Sequence, residues 1–209
     1  EALQDGEIPI YTIEQYEKIA SEEQNYEIFD LTGKSMGTYN MNKDASYKVM
    51  NDIDFKDRNT KSIAGFEGTF NGNSYSLKNI TVDNRNAEST YKYYSVDNLK
   101  TSKDATTIDV GKPAGLFERT IGATIKNIKI DNATIRGSAN VGIIAGEIVE
   151  TNIEKCIIEN SKAISEGERI DWIFSGTVGG IVGWVYNQNT STINQVKVDN
   201  IKVEGNSVT

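Results

Sequence analysis

The sequence contains no histidine, and this absence excludes several kinds of catalytic and metal site. Ser/His/Asp and Cys/His catalysis, HExxH zinc sites and proton transfer through imidazole all require that side chain. The single cysteine, Cys156, has no partner for an intramolecular disulfide, so neither a disulfide scaffold nor a four-cysteine metal site is available. No apolar run approaches the roughly 20 residues that span a bilayer. We therefore expect no membrane insertion by this chain.

Leucine and alanine are also scarce, with 5 and 12 residues against 26 isoleucines and 13 valines. Side chains branched at Cβ lose rotamer freedom in helices and pack well on pleated sheets, so this balance predicts a mostly β protein. Basic residues are outnumbered by acidic ones, 22 to 30, and the formal net charge is −8. A surface of that sign repels phosphate backbones, and we expect no nucleic-acid partner.

An internal repeat dominates the rest of the sequence. Four segments of eight residues align without gaps: Leu77–Asn84, Ile125–Asn132, Ile153–Asn160 and Ile193–Asn200. In each, the first, fourth and sixth residues are apolar, the second and third are mostly polar, the fifth is variable, the seventh is acidic and the eighth is Asn. The alternation within each predicts a strand with one buried face, and the spacing of three before it implies a bend. The alignment predicts two interior columns: Ile80, Ile128, Cys156 and Val196 in one, and Val82, Ile130, Ile158 and Val198 in the other.

The closing asparagines of these segments are 48, 28 and 40 residues apart. Such spacing predicts a single solenoid domain over residues 1–209 with a coil of about 28 residues and with insertions at 85–110 and 161–175. Glycine-rich segments lie between the repeats and permit close approach of one backbone layer to the next: Gly115–Phe117, Gly142–Gly146 and Gly179–Gly183.

The N-terminal region, residues 1–25, departs from the repeat. Thr12–Gln15 has capping-box spacing, and the apolar residues that follow predict a short amphipathic helix. Such a helix would cover an open end of the solenoid. Strands are predicted near Tyr47–Met50 and Gly65–Phe70, followed by a turn at Asn71–Asn73. Because Glu204–Thr209 shows no comparable cap, we expect a fragment of a longer protein.

Two stretches carry a resemblance to a known family. Tyr47–Phe55 followed by Phe66–Ile80 resembles the opening coils of bacterial cell-surface proteins that bear the GLUG motif, and Gly142–Gly146 and Gly180–Gly183 resemble the motif itself. The resemblance implies a right-handed parallel β-helix and an extracellular location, as in adhesins and in the noncatalytic part of the metallopeptidases that cleave immunoglobulin A. It implies no catalytic role for any residue here.

Two polar rows follow from the alignment. Asn84, Asn132, Asn160 and Asn200 are predicted to form a hydrogen-bonded ladder at turns rather than a binding site. Asp83, Asp131, Glu159 and Asp199 form an acidic row, which bound calcium, basic neighbours such as Lys129 and Lys197, or solvation would each explain. Asn51–Asp54 resembles part of a calcium loop but lacks its glycine and terminal glutamate, so turn hydrogen bonding is favoured. We assign no metal or cofactor.

Cysteine and aromatic residues complete the candidates. Cys156 occupies an inward position, which predicts a buried, unreactive thiol. Tyr91, Tyr93 and Tyr94 cluster in the first insertion and Trp172 lies in the second. Aromatic rings there either bind sugars or proteins or pack against the solenoid, and these four residues are the candidate ligand-binding set.

These observations predict an all-β, right-handed parallel β-helix with an N-terminal capping helix. The predicted function is a noncatalytic, extracellular adhesin-like binding or spacer module of a bacterial surface protein. Its expected partner is a host protein or glycan, and its expected state is monomeric. One alternative is a β-helical lyase or glycosidase that degrades polysaccharide, and another is the stalk of a larger protease.

Overall fold

The part of the chain that the structure describes is mostly β with one helix, and its parallel strands form sheets curled like a half-barrel. The computed structural model describes residues 1–85, 90–93, 106–109, 112–166, 177–186 and 197–209, with the backbone alone described at 90–93, 106–109, 186 and 197–200. No helix in these ranges is long and apolar enough to cross a membrane.

The largest sheet is parallel throughout and contains eleven strands. Its strands are β1 (Glu7–Ile10), β4 (Ser46–Val49), β5 (Ile53–Asp54), β7 (Thr69–Asn71), β8 (Ser76–Asp83), β12 (Thr124–Lys126), β13 (Lys129–Gly137), β16 (Asn152–Glu159), β17 (Lys162–Ser165), β20 (Lys197–Glu204) and β21 (Ser207–Val208).

Two further parallel sheets and two antiparallel hairpins complete the architecture. One sheet contains β6 (Ile63–Phe66), β11 (Phe117–Ile121), β15 (Ala145–Val149) and β19 (Val182–Tyr186), and the other contains β14 (Val141–Gly142) and β18 (Val178–Gly179). The hairpins are β2 (Tyr26–Phe29) with β3 (Ser35–Tyr39), and β9 (Thr90–Tyr93) with β10 (Thr106–Asp109). The strand predicted near Tyr47–Met50 is β4, whereas the one predicted near Gly65–Phe70 is divided between the end of β6 and the start of β7.

The helix α1 (Ile13–Ala20) confirms the predicted capping box. The Thr12 hydroxyl accepts from the Gln15 N–H at 3.2 Å, and the Gln15 carboxamide oxygen accepts from the Thr12 N–H at 3.2 Å. The buried face of α1 rests on an aromatic cluster, because the Tyr16 ring lies edge-on to Phe55 and Phe70 at 5.6 and 6.1 Å. The Tyr16 hydroxyl also donates to the Leu116 carbonyl, which ties α1 to the interior.

The predicted repeat is confirmed for two of its four segments. Ile125 lies beside Ile153, and Ile130 lies beside Ile158. The other two segments are displaced by five residues. Val198, and not Ile193, lies beside Ile153. Likewise Ile130, and not Ile125, lies beside Leu77.

The two predicted interior columns are therefore wrong at their outer members. Ile80 lies beside Ala133, and Val82 lies beside Ile135. Ile201 takes the place beside Cys156 that was predicted for Val196, and Val196 itself lies outside the described residues. The register gives these columns: Phe70, Ile125, Ile153 and Val198; Ile128, Cys156 and Ile201; Leu77, Ile130, Ile158 and Val203; Val82, Ile135, Ala163 and Val208.

The displacement has a physical reason in the corners of the sheet. Asn127 and Asn132 both turn the chain in the left-handed region, with φ of 55° and 59°, and Lys155 and Asn160 do so on the neighbouring level, with φ of 54° and 51°. At each corner, an apolar residue and then a variable residue come directly before the residue with positive φ. A slip from one corner to the next therefore still buries apolar side chains and still places a tolerant residue at positive φ.

The predicted asparagine ladder is present only in part, because Asn160 donates to Asp131 rather than to Asn132 and two of the predicted members are wrong. Asn132 Nδ2 donates to Asn79 Oδ1 at 2.8 Å, and Asn160 follows Asn132 in register. Asn79 thus occupies the place predicted for Asn84. Asn200 belongs instead to the other corner, beside Lys155, because Glu154 pairs with Asp199.

The glycine-rich segments bring neighbouring layers together, as predicted. Gly142 lies beside Gly179 in register, and a Cβ atom on Gly142 would lie 2.6 Å from Val182 Cα. A Cβ atom on Gly115 would lie 2.8 Å from Ala145 Cα. Real Cβ atoms do not approach backbone so closely, so these positions require glycine.

Candidate functional site

The four aromatic residues proposed as ligand-binding lie largely outside the described part of the chain. Tyr91 and Tyr93 belong to β9, where Tyr91 pairs with Ile108 and Tyr93 with Thr106. Their side chains, and all of Tyr94 and Trp172, fall outside it. The β9–β10 hairpin forms a sheet of its own. Ligand binding by these residues stays a prediction.

An ion pair joins the two predicted insertions. Arg85 begins the first, and its guanidinium donates from Nη1 to Glu166 Oε2 at 2.7 Å. Glu166 lies within the second, which was predicted to begin at 161; its first residues belong instead to the largest sheet, because Lys162–Ser165 form β17 and pair with β13. Arg136 Nη1 also donates to Glu166, at 3.0 Å. Arg85 is held in turn by Asp83, which accepts from Nε at 2.9 Å and from Nη2 at 2.6 Å, and these bonds lower the pKa of the Asp83 carboxyl.

A polar cleft of about 370 Å³ lies at the base of the first insertion. Asn84 and Lys112, which flank that insertion in the sequence, both contribute to its lining. The complete lining is Ala20, Ser21, Asn59, Thr60, Lys61, Ser62, Ala64, Asn84, Lys112 and Glu118. We name this feature the insertion-base cleft.

Glu118 on β11 is the one carboxylate among the described residues that line the insertion-base cleft. Burial raises the pKa of its carboxyl above the usual range, and the ammonium groups of Lys112 and Lys43 partly oppose that rise. Asn84 Nδ2 lies 3.5 Å from Glu118 Oε1 and donates to the Pro113 carbonyl at 3.0 Å. The Asn84 carboxamide, which was predicted to join the asparagine ladder, therefore lines this cleft instead.

The cleft chemistry suits a ligand rich in hydroxyl groups. A carboxylate accepts hydrogen bonds, while ammonium and carboxamide groups donate them, and the lining carries both kinds of group around one concave surface. Glycosidases of the usual kind need two carboxyl groups, about 5–9.5 Å apart according to mechanism.

The acidic row is only partly as predicted. Asp131 and Glu159 are neighbours, but Asp83 lies beside Arg136 and Asp199 beside Glu154. Asn160 Nδ2 donates to Asp131 at 3.0 Å, and Lys202 lies 3.8 Å from Glu159. Within the described ranges, no group of three or more His, Cys, Asp or Glu side chains is arranged to hold a metal ion.

The Asn51–Asp54 segment makes one local turn hydrogen bond and two hydrogen bonds to the neighbouring strand β8. Asp52 accepts from the Ser76 N–H at 2.8 Å. Asp54 accepts from the Lys56 N–H at 2.8 Å and from Asn79 Nδ2 at 3.0 Å. The hydrogen bond from Asn79 makes the largest contribution to lowering the pKa of the Asp54 carboxyl. The preference for turn chemistry over a calcium loop agrees with these bonds.

Cys156 is fully buried, as predicted. Burial raises the pKa of its thiol to about 11, and Sγ donates to the Glu154 carbonyl at 3.3 Å. A thiol in this environment stays protonated at neutral pH and is a poor nucleophile.

Sequence patterns missed the insertion-base cleft. Its lining comes from five separate places in the chain, and only Asn84 was singled out from the sequence, for a different role. The one available signal was position, since Glu118 directly follows the glycine-rich segment Gly115–Phe117.

Comparisons with models of known protein families, with curated proteins and with solved structures found no match for this chain.

Proposed function

We propose that this chain is a right-handed parallel β-helix that acts as a noncatalytic, extracellular, adhesin-like binding module of a bacterial surface protein. The stacked parallel strands and the helix α1 over the aromatic cluster support the β-helix part of the proposal. The resemblance of Tyr47–Phe55, Phe66–Ile80 and the glycine-rich segments to GLUG-motif proteins supports the location.

The observation that carries the binding role is the ion pair that joins the two insertions. The Arg85–Glu166 ion pair joins the start of the first insertion to the residue at which the second leaves β17, and the insertion-base cleft opens beside Asn84 and Lys112. Loops anchored on a rigid scaffold are the usual carriers of recognition. The proposed ligand surface thus combines the cleft with the predicted aromatic set, Tyr91, Tyr93, Tyr94 and Trp172.

The proposed ligand is a host glycan or the glycan of a host protein. Hydroxyl groups would pair with Glu118 and Lys112 in the cleft, while aromatic rings stack on sugar faces.

A glycan array and immobilised matrix proteins test this proposal. We compare the unaltered chain with a Tyr91→Ala, Tyr93→Ala, Tyr94→Ala triple variant and with Glu118→Gln. The control is Phe29→Ala with Leu31→Ala, which removes two exposed apolar side chains, 44% and 67% exposed, from the β2–β3 region. Binding lost in the first two variants and kept in the control, with melting curves that show every variant to be folded at the assay temperature, is the expected result. Equal binding by all four proteins, or depolymerisation of a glycan by the unaltered chain, contradicts the proposal.

A further inference from the structure

The insertion-base cleft carries a local positive charge on an acidic chain. Lys61 and Lys112 both line it, together with the carboxylate of Glu118, and Lys112 is half-buried. Among the described residues, neither of these two ammonium groups has an ion-pair partner. The chain as a whole has a formal net charge of −8. Two ammonium groups in one concave site therefore favour an anionic group on the ligand.

Most other donors in the lining of this cleft are already engaged. Four side chains donate to backbone carbonyl groups of the chain itself: Ser21, Thr60, Ser62 and Asn84. The two ammonium groups are thus the strongest donors left for a ligand. With Glu118 ionised, the lining has one net positive charge, which a single carboxylate neutralises.

A second cleft, of about 330 Å³, adjoins the first one around the C-terminal end of α1. Ser21 lines the insertion-base cleft and the next residue, Glu22, lines the second cleft. In the same way Ala64 lines the first and Gly65 the second. We name the second feature the acidic cleft, and its lining is Glu22, Asn42, Lys43, Asp44, Gly65 and Glu67.

The acidic cleft has the opposite charge to its neighbour. Glu22, Asp44 and Glu67 contribute three carboxylates against the one ammonium group of Lys43, which lies 3.5 Å from Glu22. An anionic group placed there would be repelled. An uncharged sugar would be accepted, because its hydroxyl and amide groups donate hydrogen bonds to carboxylates.

We propose that the two clefts together bind an unsulfated polysaccharide in which a hexuronate alternates with an uncharged sugar. The hexuronate lies in the insertion-base cleft, where Lys61 and Lys112 bind its carboxylate and Glu118 accepts hydrogen bonds from its hydroxyl groups. The uncharged unit that follows lies in the acidic cleft. This inference rests on the proposed glycan-binding function and names the class of glycan.

The charges of the two clefts disfavour the other common classes of polysaccharide. A polymer of hexuronate alone, or one that is sulfated on every unit, places an anion in the acidic cleft. A neutral polymer leaves both ammonium groups without an anionic partner. The net charge of the whole chain weighs less, because exposed charges more than about 8 Å apart are largely screened at physiological salt.

Isothermal titration calorimetry of the full chain with four polysaccharide fragments of matched length tests the proposal. The fragments are hyaluronan, which is unsulfated and alternates glucuronate with N-acetylglucosamine, and polygalacturonate, heparin and dextran. We expect hyaluronan to bind at least tenfold more tightly than the other three.

Two lysine variants test the insertion-base cleft. Lys61→Gln with Lys112→Gln should weaken hyaluronan binding at least tenfold. Lys34→Gln with Lys162→Gln is the matched control, because it changes the net charge equally at two exposed lysines that line neither cleft. The control should bind hyaluronan as the unaltered chain does.

A third variant tests the acidic cleft. Asp44→Asn with Glu67→Gln removes two of its three carboxylates and should bind polygalacturonate at least threefold more tightly than the unaltered chain. Melting curves establish that every variant is folded at the assay temperature.

Three results overturn the inference and leave the proposed function standing, provided that a glycan is still bound. These are dextran binding as tight as hyaluronan binding, equal losses in the two lysine variants, and no gain in polygalacturonate binding on removal of the two carboxylates. A chain that binds no glycan at all overturns both this inference and the proposed function.

Discussion

Ile130 offers the sharpest test of the interior packing. Its side chain is fully buried on β13, between Leu77 on one side and Ile158 on the other. Replacing a buried isoleucine by alanine removes its transfer free energy and leaves a cavity, which together cost about 2–5 kcal/mol. We expect Ile130→Ala to lower the free energy of unfolding by about 3 kcal/mol.

Ile130→Asp should be worse, because the same cavity then holds a carboxylate far from water. Burying a charge without a partner costs several kcal/mol more, unless the carboxylate takes up a proton. Domains of this kind are stable by only about 5–15 kcal/mol, so the variant should be largely unfolded at neutral pH. Protonation relieves the penalty, so whatever folded fraction exists should increase toward acidic pH.

Urea denaturation followed by far-ultraviolet circular dichroism measures both effects. Ile157→Asp is the matched control, because Ile157 lies one residue before Ile158 on β16 and is 37% exposed. We expect that variant to stay within about 1 kcal/mol of the unaltered chain. If Ile130→Asp and Ile157→Asp unfold at the same urea concentration, the inward placement of Ile130 is wrong.

Three further predictions concern single side chains. Glu118→Gln should stabilise the chain increasingly as the pH rises above about 4.3, the ordinary glutamate pKa, because burial raises the pKa of the native carboxyl and the native chain loses stability as that carboxyl ionises. Urea midpoints of the variant and the unaltered chain at pH 4 and pH 7 check this, and an equal difference between the two proteins at both pH values would contradict it. Cys156 should react with a disulfide reagent at pH 8 at least 100-fold more slowly in the native chain than in urea, because its pKa is about 11; similar rates would place the thiol outside the core. Lys155→Asn should raise the free energy of unfolding by up to about 1 kcal/mol, because Lys155 occupies a left-handed corner with φ of 54°. The control is Lys129→Asn, at a position without positive φ, and equal changes in the free energy of unfolding would argue against backbone strain at Lys155.

Local patterns predicted the elements better than their register. The capping box of Thr12 and Gln15, the burial of Cys156 and the close approach at Gly142 all follow from short-range chemistry. Register was predicted for only two of four repeats, because Ile125–Asn127 and Ile130–Asn132 share the pattern apolar, variable, Asn. Both alignments bury the same kind of side chain. The choice between them depends on contacts between distant strands, such as Ile80 beside Ala133.

The insertion-base cleft could not be predicted for a different reason. Its polar lining is distributed over α1, the chain between β5 and β6, the two ends of the first insertion, and β11. No spacing in the sequence connects Asn59 with Glu118. Their approach results from the stacking of β6 against β11, which is a property of the assembled sheets.

The ion pairs of Arg85 with Asp83 and Glu166 have a consequence for variation in length. Because the chain is held at Arg85 and again at β11 after Lys112, lengthening the segment between these points adds to the entropic cost of closing a loop. That entropy grows with the logarithm of loop length, so doubling the insertion costs only about 0.6 kcal/mol. Relatives of this chain can therefore carry segments of very different length at this position while the sheets beneath them stay the same.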